Sequence, residues 1–319
     1  MFNPENFDEK QLSEAAKYLS EVPYDVSRTH LYKARELFDT FDVNNPASLA
    51  DCYDTRVVKH LDETGVTPES PLEMWARSLH DYRIRKALYL FLGWFESNNV
   101  IGVMGGHSLR RTDATYRQVV DLAKSLTERG RVLMSGGGPG AMEATHLGAW
   151  LAGRTVADVE EALAILADAP TAKDDGWLAT AFKVIERFPQ VGDSASLAIP
   201  TWFYSDEPPT PFATHIAKFF ENSIREDVLL SEAVGGIVFM PGGAGTLQEV
   251  FQEAVQNHYL TQGVASPMVF MDSQFWSKDV PIYPLLQKLI DDGRYEHLPI
   301  ALVDDVESAI QTLDFCHGY

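Results

Sequence analysis

Cysteine is almost missing from this sequence: only Cys52 and Cys316 occur in 319 residues, far apart and in no metal-ligand spacing, so neither a disulfide framework nor a zinc site is expected. Positive charge is also scarce. Against 46 Asp and Glu stand 26 Lys and Arg, and the resulting net charge of −20 repels nucleic acid and anionic membranes, so any anion site has to be a local one. No uncharged apolar run reaches membrane-spanning length; the most apolar stretch, 87–95, is too short. The start of the chain, with Glu5, Asp8 and Glu9, lacks the basic and apolar regions of a secretion signal, which makes the cytoplasm the expected compartment. There is no internal repeat, low-complexity tract or flexible linker. What remains is an ordinary globular composition, 45% hydrophobic, long enough for one large α/β domain with an accessory segment.

Residues 1–98 hold no alternating strand pattern but several helical ones, at 7–19, 28–41 and 72–95, and read as a helical N-terminal extension. The apolar positions of the last, among them Trp75, Leu79, Tyr82, Leu88, Leu92, Trp94 and Phe95, are expected to pack on the main sheet or on a second subunit. From residue 99 to 319 apolar strand-like runs at 100–104, 131–135, 196–200, 236–240, 267–272 and 300–303 alternate with helical patterns, including a long one at 212–233. Such alternation gives an α/β fold with a doubly wound, Rossmann-like parallel sheet. An insertion at about 154–193, read as two helices around a polar stretch, suggests a lid or an interface element.

Three of the strands end in glycine. They run into Gly105-Gly106-His107-Ser108, into Gly136-Gly137-Gly138-Pro139-Gly140, and into Pro241-Gly242-Gly243-Ala244-Gly245-Thr246. Glycine lets the backbone turn sharply and approach a ligand, and the unpaired N–H groups of a following helix, helped by its dipole, hold a phosphate. The turn at 136–140 is not a P-loop, because no Gly-Lys-Ser/Thr follows, and does not have dinucleotide G-x-G-x-x-G spacing. Thr246 and Glu249 also fit a Thr-x-x-Glu capping box that would merely close the helix start. His107 stands in a loop where it either meets a ligand or is solvated, and Ser108 offers a hydroxyl. Glu143 and His146 have metal-ligand spacing on one helix without a matching second pair, so no metal site is expected. Trp202, Phe203 and Tyr204 lie at the ligand edge of the sheet, where aromatic residues either stack on a base or pack internally.

In this order, Gly105-Gly106-His107-Ser108, Ser135-Gly136-Gly137-Gly138-Pro139-Gly140-Ala141-Met142-Glu143-Ala144 and Pro241-Gly242-Gly243-Ala244-Gly245-Thr246-Leu247-Gln248-Glu249 resemble the Lonely Guy family of nucleoside 5′-monophosphate phosphoribohydrolases, long mislabelled lysine decarboxylases. Its signature is the Pro-Gly-Gly-x-Gly-Thr-x-x-Glu element. The same residues look like the larger bacterial pyrimidine/purine nucleotide 5′-monophosphate nucleosidases of that superfamily, and Met142-Glu143, where short members have Leu-Met-Gly, favours these larger enzymes. The resemblance implies hydrolysis of a nucleoside monophosphate such as AMP to free base and ribose 5-phosphate, without cofactor or metal, by a homodimer or higher homo-oligomer. It further implies Arg225 and Glu249 as catalytic residues, and substrate contacts from Gly106, His107, Ser108, Gly137, Gly138, Met142, Glu143, Gly242, Gly243, Gly245 and Thr246. Two departures stand out: Arg225 lies one residue farther from the glycine turn than usual, and Glu226 follows it where plant-type members have Lys. The same fold also serves non-catalytic nucleotide sensors and carriers of a phosphorylated pterin cofactor. Decarboxylation with pyridoxal phosphate lacks its imine-forming residue, because no Lys stands in either helix-opening turn.

Overall fold

A computed structural model describes residues 9–204 and 207–316. The N-terminal part holds α1 (Glu9–Glu21), α2 (Ala34–Leu37), α3 (Tyr53–Thr64) and α4 (Pro71–Leu92). Then β1 (Val100–Met104), α5 (Ala114–Glu128), β2 (Val132–Ser135) and α6 (Ala141–Trp150) lead to the inserted pair α7 (Val156–Leu166) and α8 (Trp177–Arg187). The chain continues through β3 (Ser196–Ala198), β4 (His215–Ile216), α9 (Asn222–Ser231), β5 (Ile237–Phe239) and α10 (Ala244–Tyr259). It closes with β6 (Met268–Met271), α11 (Ile282–Asp291), β7 (Ile300–Val303) and α12 (Val306–Cys316).

The seven strands form one parallel sheet in the order β4-β3-β2-β1-β5-β6-β7. Strands β1, β2, β5 and β6 are buried at every position, which explains why their sequences are unbroken apolar runs and not alternating ones: helices cover both faces of the sheet. The chain first winds outward from β1 through β2 to β4, then returns to the other side of β1 with β5. That reversal puts the topological switch point between β1 and β5, where open α/β sheets bind ligands beyond the carboxyl ends of the strands. Among the described residues no helix is long and apolar enough to cross a membrane.

The N-terminal helices share a core with the sheet: Tyr32, Phe38, Ile84 and Leu88 belong to the same buried cluster as Met134, Leu197 and Phe239. Helix α4 starts on Pro71, with the Ser70 hydroxyl accepting from Glu73 N–H. It buries Leu88 and Leu92 and leaves Tyr82 exposed, and Trp94 just past its end is exposed as well.

Several sequence expectations change here. The helix expected at 28–41 shrinks to the four residues of α2, and α3 had no counterpart in the periodicity reading. The first periodic stretch is α1, with Phe7 outside the described residues. The long helix expected at 212–233 begins only at Asn222, because the segment before it is drawn into the sheet. Ile216 exchanges backbone hydrogen bonds with Tyr32 on one side, 2.8 and 2.9 Å, while β4 pairs with β3 on the other. Sheet pairing overrides the local helical pattern.

Candidate active site

Two backbone hydrogen bonds and one close approach fuse the glycine turns into one surface. Gly106 N–H donates to Pro241 O at 3.1 Å, and Ala141 N–H, at the start of α6, donates to Gly106 O at 3.1 Å. Gly140 has φ +72°, and a β-carbon there would run into the Gly106 carbonyl and His107 backbone, so only glycine fits. The turn after β1 is thereby held between the other two.

The α10 turn forms one wall of a cavity of about 290 Å³, faced by Gly105, Gly106 and His107 on one side and by Gly243, Gly245 and Thr246 on the other. Helix α10 begins at Ala244 with Gly243 as its N-cap and no side-chain cap, so the expected capping box is not formed. Thr246 already lies inside the first turn, which leaves the exposed Gly243–Gly245 segment and its helix-start N–H groups for a ligand.

Glu249 stands one turn further along α10, lines this cavity, and its carboxylate makes no hydrogen bond among the described residues. Burial pushes its pKa up to about 7; Arg225 pulls it down less strongly, and Glu226 adds a smaller upward push. Arg225, on α9, is buried and reaches across the ends of β2 and β3. Its Nε donates to Ile199 O at 2.9 Å, and a β-carbon at residue 136 would overlap its guanidinium, so Gly136 is the space this arginine occupies. Glu226 lines the same cavity and is held by the side-chain amides of Asn222 and Gln248, each at 2.7 Å.

A second cavity of about 450 Å³ adjoins the first across His107 and Glu207, whose side chains pair at 3.4 Å. Ser108 opens onto this second space. So does Glu143, but its carboxylate is engaged: Arg111 donates to it through two nitrogens at 2.5 and 3.0 Å, and the Tyr116 hydroxyl donates at 3.0 Å. Arg111 in turn donates to Ala169 O and reaches the Thr180 hydroxyl, tying the 154–193 insertion to the wall. Met142 lines the first cavity; Gly137 and Gly242 shape turns without lining either. Gly138 is buried behind Met142. His146 lies in the core between the Ser135 and Ser196 hydroxyls, where burial lowers its pKa to about 3, and no cluster of three His, Cys, Asp or Glu able to hold a metal occurs among the described residues.

Of the aromatic loop, Trp202 packs internally with 0% exposure, while Tyr204 faces the cavity beside Arg225 and Glu226; Ser205 and Asp206 lie outside the described residues. Glu207 is the residue that sequence reasoning missed. Its only signal was an acid at the end of an aromatic loop on the ligand edge of the sheet.

Residues 185–314 match a family model described as "Possible lysine decarboxylase". No curated protein matches the chain. Among solved structures, TM1055, a structural-genomics target, is 18% identical with a TM-score of 0.43, covering 68% of this chain and 98% of that one. A molybdenum cofactor binding protein from the phototrophic bacterium Rippkaea orientalis is 17% identical with a TM-score of 0.41 over 68% of this chain and 96% of its own. The molybdenum cofactor carrier protein from Chlamydomonas reinhardtii is 16% identical with a TM-score of 0.39 over 69% and 98%. Through residues 185–314, the stretch that carries Arg225, the open glycine turn and Glu249, the chain matches the Lonely Guy family, to which that description is attached.

Proposed function

We propose that this chain hydrolyses the N-glycosidic bond of a nucleoside 5′-monophosphate to free base and ribose 5-phosphate. The observation that carries this reading is Glu249: an unengaged carboxylate with a pKa of about 7, in the same cavity as an open helix start and a buried arginine. The helix-start N–H groups of α10 and the Thr246 hydroxyl receive the 5′-phosphate, and Arg225 adds a buried positive charge to the cavity. That seat places the ribose against the first turn of α10. Cleavage of the C1′–N bond leaves positive charge on the sugar, which ionised Glu249 stabilises while it orients a water and accepts its proton. The water oxygen bonds to C1′, the bond to the base breaks, and the departing base takes up a proton.

A pyridoxal-phosphate decarboxylase needs a lysine at its cofactor; among the described residues none lines the cavity that holds Arg225 and Glu249, and Lys173 lines only the adjoining one. The exposed Leu90 and Trp94 near the end of α4 fit a contact between copies, in keeping with a homo-oligomer. The deciding experiment is incubation of the pure protein with a panel of nucleoside monophosphates, AMP first, followed by chromatography for free base and ribose 5-phosphate. Tight binding with no base released from any of them replaces the hydrolase with a carrier or sensor.

A further inference from the structure

Helix α9, which carries Arg225, is weakly capped by its own sequence. Its N-cap residue Glu221 accepts from Ser223 N–H only at 3.5 Å. The N–H groups just before the helix are instead satisfied from far away: Asp81 of α4, 2% exposed, accepts from Phe220 N–H at 3.0 and 3.1 Å and from Glu221 N–H at 2.8 Å. A carboxylate at a helix start is favoured both by these charge-assisted bonds and by the helix dipole. Asp81 is itself fixed. His80 Nδ1 sits 3.0 Å from its Oδ1, and His80 Nε2 is bonded to the Tyr32 hydroxyl at 2.8 Å, with His80 and Tyr32 both fully buried.

A second clasp holds the other segment that reaches the cavity. Asp54 of α3 accepts from Trp202 Nε1 at 2.8 Å and from buried Lys218 Nζ at 2.6 Å, while Trp202 N–H donates to Phe219 O at 3.0 Å. Residues 201–204 and 218–221 are thus bound both to each other and to the N-terminal helices. Arg225 follows one turn after the pinned Glu221, whose carbonyl accepts its N–H at 3.3 Å.

We infer that the N-terminal helices are a positioning device for the cavity, with Asp81 as the positioning residue that sets α9, and with it Arg225, against the glycine turns. This inference rests on the proposed hydrolase reading for its consequence on rate, but not for its geometry. An arginine displaced by a fraction of its own width no longer meets a charge that develops only as the glycosidic bond breaks, so loss of the clasp acts on turnover more than on binding.

The test uses the full chain. Asp81→Asn keeps the shape of the side chain but loses its charge and one acceptor. It is expected to lower kcat on AMP roughly tenfold or more with KM within about threefold, and to speed amide exchange across residues 220–226 while β5 stays protected. In an Arg225→Lys background the same change should cost less than about twofold further, because the two residues act in series. Equal losses in both backgrounds, or unchanged exchange at 220–226, overturn the inference. Tyr32→Phe, which removes only the hydroxyl that holds His80, should move exchange and kcat in the same direction by less, and serves if Asp81→Asn does not fold. Should the unaltered protein release no base, the hydrolase reading fails while the exchange measurement still decides this one.

Discussion

The turn after β2 and the turn after β5 both string glycines and one proline between a buried strand and a helix, yet residues 136–140 are buried throughout whereas Gly243, Ala244 and Gly245 are exposed. Around the first, any added side chain meets something: Ala198 at Gly137, the Gly106 and His107 backbone at Gly140, the guanidinium of Arg225 at Gly136. Around Gly243 and Gly245 a β-carbon would meet nothing within 4 Å. Similar composition serves opposite ends. In the first turn glycine lets parts of the protein approach one another, and in the second it leaves room for a guest.

The largest expected effect breaks the closed turn. Gly140→Ala must place a β-carbon at φ +72° against the Gly106 carbonyl, and should lower the stability of the protein by roughly 3 kcal/mol, read from denaturant midpoints. Glu249→Gln probes the helix behind the open turn: turnover of AMP should fall about 100-fold or more while AMP binding by calorimetry is kept. Because the useful form is ionised and its pKa is about 7, the rate of the unaltered protein should rise with pH through that value. Glu226→Gln, which removes a carboxylate that pushes Glu249 up, should move the rise to lower pH.

One turn deeper on α10, Glu253 offers a contrast with Glu249: it is 1% exposed, its Oε2 has no partner, and burial lifts its pKa to about 8. A carboxyl that is protonated when folded and ionised when unfolded gives up its proton on unfolding, so its contribution to stability is full below about 4.5 and is lost as pH rises towards about 8. Glu253→Gln should therefore gain on the unaltered protein by about 4 kcal/mol between pH 5 and pH 8.5, seen as a flatter melting-temperature profile. The smallest effect sharpens the open side: Gly245→Ala should change stability by less than about 1 kcal/mol, in the stabilising direction expected inside a helix, while weakening AMP binding several-fold. If Gly245→Ala unfolds the protein as Gly140→Ala does, the two turns are not the different objects described.

Much of this was legible in the sequence for a physical reason. Strands covered on both faces announce themselves as unbroken apolar runs, and glycine at their ends marks where the chain must turn sharply, so β1, β2, β5 and the three turns could be read directly. Glu249 and Arg225 were singled out by resemblance, and the fold brings both to one cavity. What periodicity cannot express is partnership at a distance. Ile216 becomes a strand because Tyr32 and β3 flank it, Trp202 turns inward because Asp54 waits for its N–H, and Glu143 is occupied because Arg111 reaches it from another loop. The apparent Thr246–Glu249 cap failed for a related reason: the helix starts earlier, at Ala244, so the spacing was right but its register on the helix was not.

The antiparallel bridge between Tyr32 and Ile216 has a practical corollary. It seals the outermost strand of the sheet, whose N–H and C=O groups would otherwise invite a neighbouring molecule to add its own strand. Trimming the chain back to the glycine-bearing half would bare that rim, and the shortened product should clump.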